Sequence, residues 1–211
     1  MKKILSFLAM TVFILNLVIA PARAEKTDWV DKDFNFKLAK KIMVYDLSIV
    51  DKRSLPNDIM EELLKEDYMK NAQRPKFEIV RPTAPANIGH PVEGADLYVI
   101  GELLDWHDDF YVRPGYTTWE NKTMTRTYRH SDGSTYEDKY TVTVPVNHPP
   151  RTIYTSTVRV RFGVFDAKTG KRVMARDELR LRDDSKNGER GIFGRITKSF
   201  FDDLGKKLRR D

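Results

Sequence analysis

The spacing of apolar residues predicts alternating strands and helices along the first half of the chain. The β-branched run over 40–50 has the length and the flanking charges of a buried strand. Ser54 is a suitable N-cap for the helix that follows, with Pro56 tolerated in its first turn. Apolar runs over 74–82 and 95–106 predict two further strands. The helix is predicted from an apolar stripe at helical spacing, formed by Ile59, Met60, Leu63, Leu64 and Tyr68.

The second half of the chain shows the two-residue period of antiparallel strands. Segment 116–146 is rich in threonine and tyrosine, and Asp132-Gly133 at its centre predicts one long β-hairpin. A second pair of strands, 152–166 and 172–183, alternates apolar with polar residues, which indicates one buried face and one wet face. The buried face is expected to consist of Tyr154, Val158, Val160, Phe162 and Val164 in the first strand and Val173, Ala175, Leu179 and Leu181 in the second.

An apolar residue at every fourth position from 192 to 208 predicts a closing helix with one packing face. No repeat, low-complexity tract or linker divides the chain, so 40–211 is expected to form a single α+β domain that includes the hairpin 116–146. Its predicted architecture is one mixed, mostly antiparallel sheet, covered on one face by two helices, with a long protruding β-hairpin. Residues 25–39 are polar and aperiodic, and we expect a loose N-terminal leader there.

Residues 1–24 have the pattern of a secretory signal peptide. Two lysines precede the apolar segment 4–20, and Ala22-Arg23-Ala24 is a small-residue cleavage site. Cleavage near Ala24 makes the protein periplasmic or secreted, and retention of the segment as a membrane anchor is the alternative. The chain has no cysteine, so disulfides, thiolate metal sites and the lipid-bearing cysteine of a lipoprotein are excluded.

The balance of charge argues against a nucleic-acid partner. The chain has a formal net charge of +6, and loss of 1–24 removes three basic residues and no acid, which lowers the charge to +3. A nucleic-acid-binding face requires basic residues concentrated on one surface. The basic cluster that remains is 206–210, KKLRR, at the end of the closing helix, where cations complement the helix dipole. Binding of anionic lipid or glycan through 206–210 is the alternative interpretation.

Motifs that indicate catalysis are missing from the sequence. None of the four histidines has a second histidine at metal-ligand spacing, and the chain contains no G-x-S-x-G nucleophile elbow. We therefore expect a protein without enzymatic activity and without a cofactor. The alternative is a metal-dependent enzyme or binder centred on Asp105, His107 and Asp109, because a hard cation accepts oxygen ligands at such spacing.

The long hairpin is the segment that core packing explains least. With a two-residue turn, Arg126 lies opposite Lys139, and Trp119 shares a face with the valines of 142–146. Neither face has the continuous apolar row that a lipid-facing strand needs, so no membrane-spanning hairpin is expected. The hairpin is either a contact surface for another protein or a passive extension of the sheet. The expected interaction residues are Trp119, Arg126, Tyr128, Arg129, Tyr136 and Tyr140.

Two segments resemble a known family of envelope proteins. The sequence ADLYVIG at 95–101 and the sequence DAKTG at 166–170, together with the order of the elements, resemble the domain of CsgG-like proteins. That family includes CsgG, LpoB, FlgT and the N-terminal domain of TolB. The resemblance implies a non-enzymatic module that binds envelope proteins or assembles into rings. Ring assembly would make the protein a homo-oligomer. The missing cysteine departs from the lipoprotein members, CsgG and LpoB. We therefore expect an exported cell-envelope protein that acts by protein–protein interaction or assembly.

Overall fold

The computed structural model describes residues 24–75, 77–183 and 188–209. Within these residues there are two α-helices, α1 (Asp58–Ala72) and α2 (Glu189–Leu208). The predicted signal peptide lies outside the described residues except for Ala24. The strands are β1 (Ala24–Val30), β2 (Lys41–Val44), β3 (Ser48–Ile49), β4 (Glu78–Val80), β5 (Leu97–Arg113), β6 (Tyr116–Arg129), β7 (Thr135–His148), β8 (Arg151–Asp166) and β9 (Arg172–Asp183).

The chain divides into two compact units. The main unit comprises the described residues up to Asp109 and from Tyr154 onward, and the hairpin unit comprises Phe110–Ile153. Strands β6 and β7 of the hairpin unit form a two-stranded antiparallel sheet of their own. The hairpin predicted over 116–146 is thereby confirmed, and its second strand continues to His148.

A seven-stranded mixed sheet carries the rest of the described strands. Their order is β1-β9-β8-β5-β2-β4, and β3 also pairs with β5. The pairs β1–β9 and β8–β9 are antiparallel, whereas β2 runs parallel to both β4 and β5, and β3 runs parallel to β5. The predicted α+β class with one mixed sheet is confirmed.

The main core lies between one face of this sheet and the two helices. Leu64 and Tyr68 of α1 and Phe200 of α2 are fully buried in it. Phe162 of β8 stacks on Phe200, with ring centroids 4.0 Å apart. Burial of a large apolar side chain contributes about 1.5–3 kcal/mol, so these residues hold both helices on the sheet. The predicted cover of one face by two helices is therefore correct.

Two residues of the ADLYVIG segment have clear structural roles. Asp96 Oδ2 accepts hydrogen bonds from the backbone N–H groups of Lys41 and Lys40, at 3.0 and 2.7 Å, and these bonds lower the pKa of Asp96 below its usual range. Gly101 lies against the buried ring of Tyr68, and a Cβ atom on Gly101 would come within 2.8 Å of that ring. The segment therefore joins β2 to β5 and leaves space for a buried tyrosine.

A smaller apolar cluster lies on the sheet face opposite the helices. Tyr98 stacks on Phe165, with ring centroids 4.8 Å apart. The Tyr98 hydroxyl accepts from Gly89 N–H at 3.1 Å and donates to His90 O at 3.2 Å, which fixes the loop before β5. The cluster consists of Met43, Tyr45, Tyr98, Ile100, Phe165 and Ala167.

Residues 25–39, expected to form a loose leader, belong to the fold instead. β1 pairs antiparallel with β9 along its whole length, and Phe36 is buried in a short 3-10 turn. Asp28 of β1 also forms an ion pair with Arg176 of β9, at 2.6 Å. β1 lies at the edge of the sheet and is mostly exposed, so it shows no apolar period that the sequence could reveal.

Two predicted element boundaries are wrong. The run 40–50 forms two short strands, β2 and β3, rather than one. Helix α1 is capped by Asn57, whose Oδ1 accepts from Met60 N–H at 2.9 Å, whereas Ser54 ends a 3-10 turn before it. Asparagine ranks with serine as an N-cap, so the sequence offered two competing positions.

The face of β9 predicted to be buried is the wrong one. Val173 is an extra residue in a β-bulge, because Val164 pairs with Met174 while Phe165 pairs with Arg172. One extra residue exchanges the two faces of the strand beyond it. The row that faces the helices is therefore Met174, Arg176 and Glu178, and the row predicted there, Ala175, Leu179 and Leu181, lies on the other side.

Candidate functional site

The turn of the hairpin has three loop residues rather than two. His130 N–H donates to Ser134 O at 2.8 Å, and Gly133 N–H donates to His130 O at 3.0 Å. Gly133 has a φ of +87°, the left-handed conformation that a three-residue hairpin loop needs and that glycine adopts without strain. Asp132 Oδ1 accepts from the N–H and from the hydroxyl of Ser134, at 2.9 and 2.7 Å. An Asp-Gly pair suits either loop length.

The longer turn shifts the strand register by one residue from the predicted one. Tyr128 pairs with Tyr136, and Arg126 pairs with Asp138 rather than with Lys139. A pair of opposite charges thus replaces the unfavourable pair expected from the sequence. Because alternate residues point to opposite faces, the shift also changes which residues share a face. Four of the six predicted interaction residues share one face, here called the tyrosine face: Arg126, Tyr128, Tyr136 and Tyr140.

The side chains of the tyrosine face are in contact with one another. The rings of Tyr128 and Tyr136 stack, with centroids 5.0 Å apart and 14° between their planes, and the His130 ring lies 5.0 Å from that of Tyr136. The guanidinium carbon of Arg126 lies 5.3 Å from the Tyr140 ring centroid and 5.9 Å from that of Tyr128. Arg126 Nη1 also donates to the Tyr128 hydroxyl at 3.2 Å. The cation is thus held between two phenol rings.

These contacts restrict the side chains of the tyrosine face, which stay exposed or half-buried. The hydrogen bond to Tyr128 and the nearby Tyr140 raise the pKa of Arg126 above its ordinary value, so the guanidinium stays charged. Tyr136 is 48% exposed. Side chains already fixed by their neighbours lose less conformational entropy when a partner binds. Towards the base of the hairpin, the same face continues into a half-buried valine row of Val142, Val144 and Val146.

The other two predicted interaction residues, Trp119 and Arg129, lie on the opposite face. Trp119 pairs with Pro145 and is 69% exposed, so the prediction that it shares a face with the valine row is wrong. Arg129 pairs with Thr135 close to the turn. This face is here called the threonine face and consists of Thr117, Trp119, Asn121, Thr123, Thr125, Thr127 and Arg129 of β6 and Thr135, Glu137, Lys139, Thr141, Thr143, Pro145 and Asn147 of β7.

The candidate metal ligands Asp105, His107 and Asp109 lie along strand β5 rather than in a loop. His107 Nδ1 is 2.8 Å from Asp105 Oδ1, so these two side chains bind each other. Alternate residues of a strand lie about 7 Å apart, too far for three of them to converge on one ion without a turn. Across 24–75, 77–183 and 188–209, no group of three or more His, Cys, Asp or Glu side chains is placed to hold a metal.

A pair of carboxyl groups in the main unit, the buried Glu189 and the exposed Asp108, was not recognised from the sequence. Ser156 Oγ donates to Asp108 Oδ1 at 2.6 Å and accepts from Gly188 N–H at 3.0 Å. Glu189, 6% exposed, begins α2 beside Asp108. Burial, and then the hydrogen bond with Asp108, raise the pKa of Glu189 to about 7. Glu189 therefore keeps its proton at a higher pH than an ordinary glutamate does.

Polar side chains around this pair are themselves hydrogen-bonded. A surface cavity of about 530 Å³ borders it and is lined in part by Trp106, His107 and Arg190. Arg190 Nε already donates to Asp67 Oδ2 at 2.7 Å, and His107 is bound to its own neighbour on β5. Asp108 binds both Glu189 and Ser156, so these three side chains form one hydrogen-bonded network.

Two lysines of the basic cluster at 206–210 contact other residues of the fold. Lys206 Nζ lies 3.1 Å from Asp203 Oδ1, and Lys207 Nζ lies 6.0 Å from the ring centroid of Phe36. Arg209 is exposed just after α2, and 210 lies outside the described residues. In the part of the chain that is described, neither helix has the length and apolar character needed to cross a membrane.

Comparison with solved structures finds distant matches. No family model and no curated protein matches the chain. A PelC L103M dodecamer from Paraburkholderia phytofirmans matches at a TM-score of 0.48 and 11% identity, over 89% of this chain and 100% of that one. A PelC dodecamer from the same organism matches at a TM-score of 0.44 and 10% identity, over 90% of this chain and 99% of that one. A PDZ domain protein from Parabacteroides distasonis matches at 0.32 and 9% identity, over 93% and 39%. Matches at TM-scores below 0.5 carry no argument about function.

Proposed function

We propose that the chain is an exported, non-catalytic cell-envelope protein that binds another envelope protein through the tyrosine face of its hairpin unit. The observation that carries this proposal is the position of the Arg126 guanidinium between the rings of Tyr128 and Tyr140 on an exposed sheet. Tyrosine and arginine are enriched among the residues that dominate binding energy at protein interfaces. Their prearranged cluster supports a contact surface rather than a passive extension of the sheet.

The proposal also states that the protein is exported and acts in the cell envelope. Export is inferred from the basic, apolar and small-residue pattern of 1–24. The envelope role is inferred from the resemblance of 95–101 and 166–170 to CsgG-like domains, which bind envelope proteins or assemble with copies of themselves. A second copy of this chain is therefore one form that the partner can take.

The two alternative functions have no specific observation in their favour. The metal-dependent alternative would need Asp105, His107 and Asp109 to converge, and the strand geometry of β5 spreads them apart. The anionic-surface alternative would need free cations at 206–210, where Lys206 is paired with Asp203. The tyrosine face is the candidate that the geometry supports best.

Affinity capture from the native envelope tests the proposal. The tagged protein is compared with a double variant, Arg126→Thr with Tyr136→Thr, which removes the cation and the stack but keeps residues of high β-propensity. The matched control, Glu137→Thr with Lys139→Thr, changes two residues of β7 on the threonine face. We expect wild type and control to capture the same protein and the tyrosine-face variant to lose about tenfold or more of it.

The oligomeric state is measured on the same samples. If the partner is a second copy, light scattering detects an assembly that the tyrosine-face variant lacks and the control retains. Equal capture, or equal assembly, by all three proteins would show that the tyrosine face is not the contact surface.

A further inference from the structure

The base of the threonine face is uncharged, although 32% of the residues in the chain are charged. Charged side chains on this face begin only at the Thr125–Lys139 pair and continue towards the turn. All positions of the uncharged base are exposed. They are Thr117, Trp119, Asn121 and Thr123 of β6 and Thr141, Thr143, Pro145 and Asn147 of β7.

Trp119 lies between two pairs of hydrogen-bonded polar side chains. Thr117 Oγ1 donates to Asn147 Oδ1 at 2.9 Å, and Thr143 Oγ1 donates to Asn121 Oδ1 at 2.8 Å. Because alternate residues of a strand are about 7 Å apart, one pair lies on each side of the indole ring. Each threonine holds one asparagine carbonyl, which leaves the amide N–H groups of that asparagine as donors for a ligand.

This arrangement matches the chemistry of a neutral sugar chain. A pyranose ring has an apolar C–H face that packs on an exposed indole, and its rim of hydroxyls accepts hydrogen bonds from amide N–H groups. We propose that the threonine face binds a neutral polysaccharide, with Trp119 as the stacking platform and Asn121 and Asn147 as hydrogen-bond donors. The site lies on the face opposite the proposed protein contact and is independent of it.

The absence of charge on the base distinguishes this ligand from other partners. A nucleic acid or an acidic glycan is bound through lysine and arginine, and the base of the face has neither. A lipid surface requires a continuous apolar side, whereas Trp119 is flanked along β6 by threonine and asparagine. Protein contacts are enriched in arginine and clustered aromatic residues, which this hairpin carries on its tyrosine face instead. An uncharged, hydroxyl-bearing polymer complements the surface best.

Affinity electrophoresis tests the inference. The purified protein is run through native gels that contain dextran, laminarin or hydroxyethylcellulose, with alginate as an anionic probe. At least one neutral polymer is expected to retard the protein, and Trp119→Ala is expected to weaken that binding about tenfold or more. Trp119→Phe keeps a smaller ring and retains part of the binding. Trp29→Ala, which removes the exposed tryptophan of the main unit, is the matched control and leaves the binding unchanged.

Further variants separate this site from the protein contact. Asn121→Ala with Asn147→Ala weakens polysaccharide binding, whereas the Arg126→Thr/Tyr136→Thr variant leaves it unchanged. The inference is overturned if no neutral polymer retards the wild type, if Trp119→Ala binds as the wild type does, or if only alginate binds. Loss of protein capture by Trp119→Ala without any polysaccharide binding would equally overturn it, because the face would then contact a protein. Unchanged melting temperatures confirm that each variant is folded.

Discussion

The guanidinium of Arg176 lies 2.8 Å from the carboxylate of Asp203, beneath helix α2. The same guanidinium donates to Asp28 of β1 at 2.6 Å, and its carbon lies 5.6 Å from the Phe200 ring centroid. Arg176 is 2% exposed, and its Nη1 has no hydrogen-bond partner among the described residues. One buried cation therefore links α2, β9 and the edge strand β1, and its two acceptors are what make its burial tolerable.

Loss of the Asp203 carboxylate is expected to destabilise the main unit. Asp203→Ala takes an acceptor from a buried cation, and the expected cost is about 1–3 kcal/mol of unfolding free energy. Asp202→Ala, at the neighbouring position of α2, is the matched control and is expected to cost less than about 0.5 kcal/mol. Urea denaturation measures both. Equal effects of the two substitutions would mean that Arg176 does not depend on Asp203.

Acid is expected to weaken the same link. Although burial opposes it, hydrogen bonding from Arg176 and Lys206 lowers the pKa of Asp203 to about 2 from its ordinary value of 3.8. A depressed folded-state pKa contributes stability that is complete above the unfolded value and is lost as pH falls through the folded one. Melting temperatures of the wild type and Asp203→Ala are therefore expected to converge as pH is lowered from about 5 to about 2. A constant difference across that range would contradict the ion pair.

The Asp108–Glu189 pair is expected to have the opposite effect on stability, which should fall as pH rises. The pKa of Glu189 is raised to about 7 from 4.5, so between these values the folded chain keeps a proton that the unfolded chain has released. Stability then falls as pH rises through about 7. Glu189→Gln keeps a neutral side chain at this position and is expected to be more stable than wild type at about pH 8 and to flatten the slope.

The matched control for that substitution is Glu62→Gln, which changes an exposed carboxyl of α1. Thermal melts across the neutral range measure all three proteins, and the control is expected to keep the wild-type slope. His107 lies beside the pair and lowers the pKa of Glu189, so His107→Gln is measured in parallel. If His107→Gln flattens the change of melting temperature with pH and Glu189→Gln does not, the carboxyl pair is excluded as the source of that change.

A methyl group at position 101 is expected to destabilise the core. A Cβ atom there would lie 2.8–2.9 Å from the ring and hydroxyl of Tyr68, which is fully buried and has no space to retreat. Gly101→Ala is expected to cost about 1–3 kcal/mol from overpacking. Gly194→Ala in α2, where no atom lies within 4 Å, is the control and is expected to stabilise by about 0.5–1 kcal/mol. Similar denaturation midpoints for both variants would be inconsistent with this packing.

Engineered cysteines can determine the register of the hairpin directly, because the chain has none of its own. Thr123 and Thr141 are paired, and counting outward from His130–Ser134 makes theirs a non-hydrogen-bonded pair with Cα atoms about 4.5 Å apart. Thr123→Cys with Thr141→Cys is expected to form a disulfide on mild oxidation. Thr123→Cys with Val142→Cys, which the two-residue turn would favour, is expected to stay reduced. A disulfide from Thr123→Cys with Val142→Cys, and none from Thr123→Cys with Thr141→Cys, would support the two-residue turn instead.

The elements were predictable from the sequence because apolar periodicity marks them. The two helices and the long hairpin follow from stripes at three- to four-residue spacing and from a turn-forming Asp-Gly pair. Strand β1 was missed because an edge strand buries few side chains and so shows no apolar periodicity. It is held by backbone hydrogen bonds and by the Asp28–Arg176 ion pair. Its sequence resembles that of a polar leader.

The residues that share a face were much harder to predict. One additional loop residue at the hairpin turn moves Trp119 away from the valine row, and one bulged residue, Val173, exchanges the faces of β9. Both errors arise from a shift of a single position. Because alternate residues of a strand point to opposite faces, a shift of one residue moves each side chain to the other face. The Asp108–Glu189 pair escaped notice for another reason: its members come from β5 and α2, and only the tertiary fold brings them together.

Photo-crosslinking from the tyrosine face tests the central claim most directly. A benzoylphenylalanine residue replaces Tyr136, which preserves an aromatic ring at the exposed end of the stack, and the full-length protein is irradiated in its native envelope. The control places the same probe at Ile59, an exposed apolar position of α1 in the main unit. The account predicts one discrete protein adduct from position 136 and none of that size from position 59. Adducts that are the same from both positions, or no adduct from position 136, would contradict a protein-binding role for the hairpin.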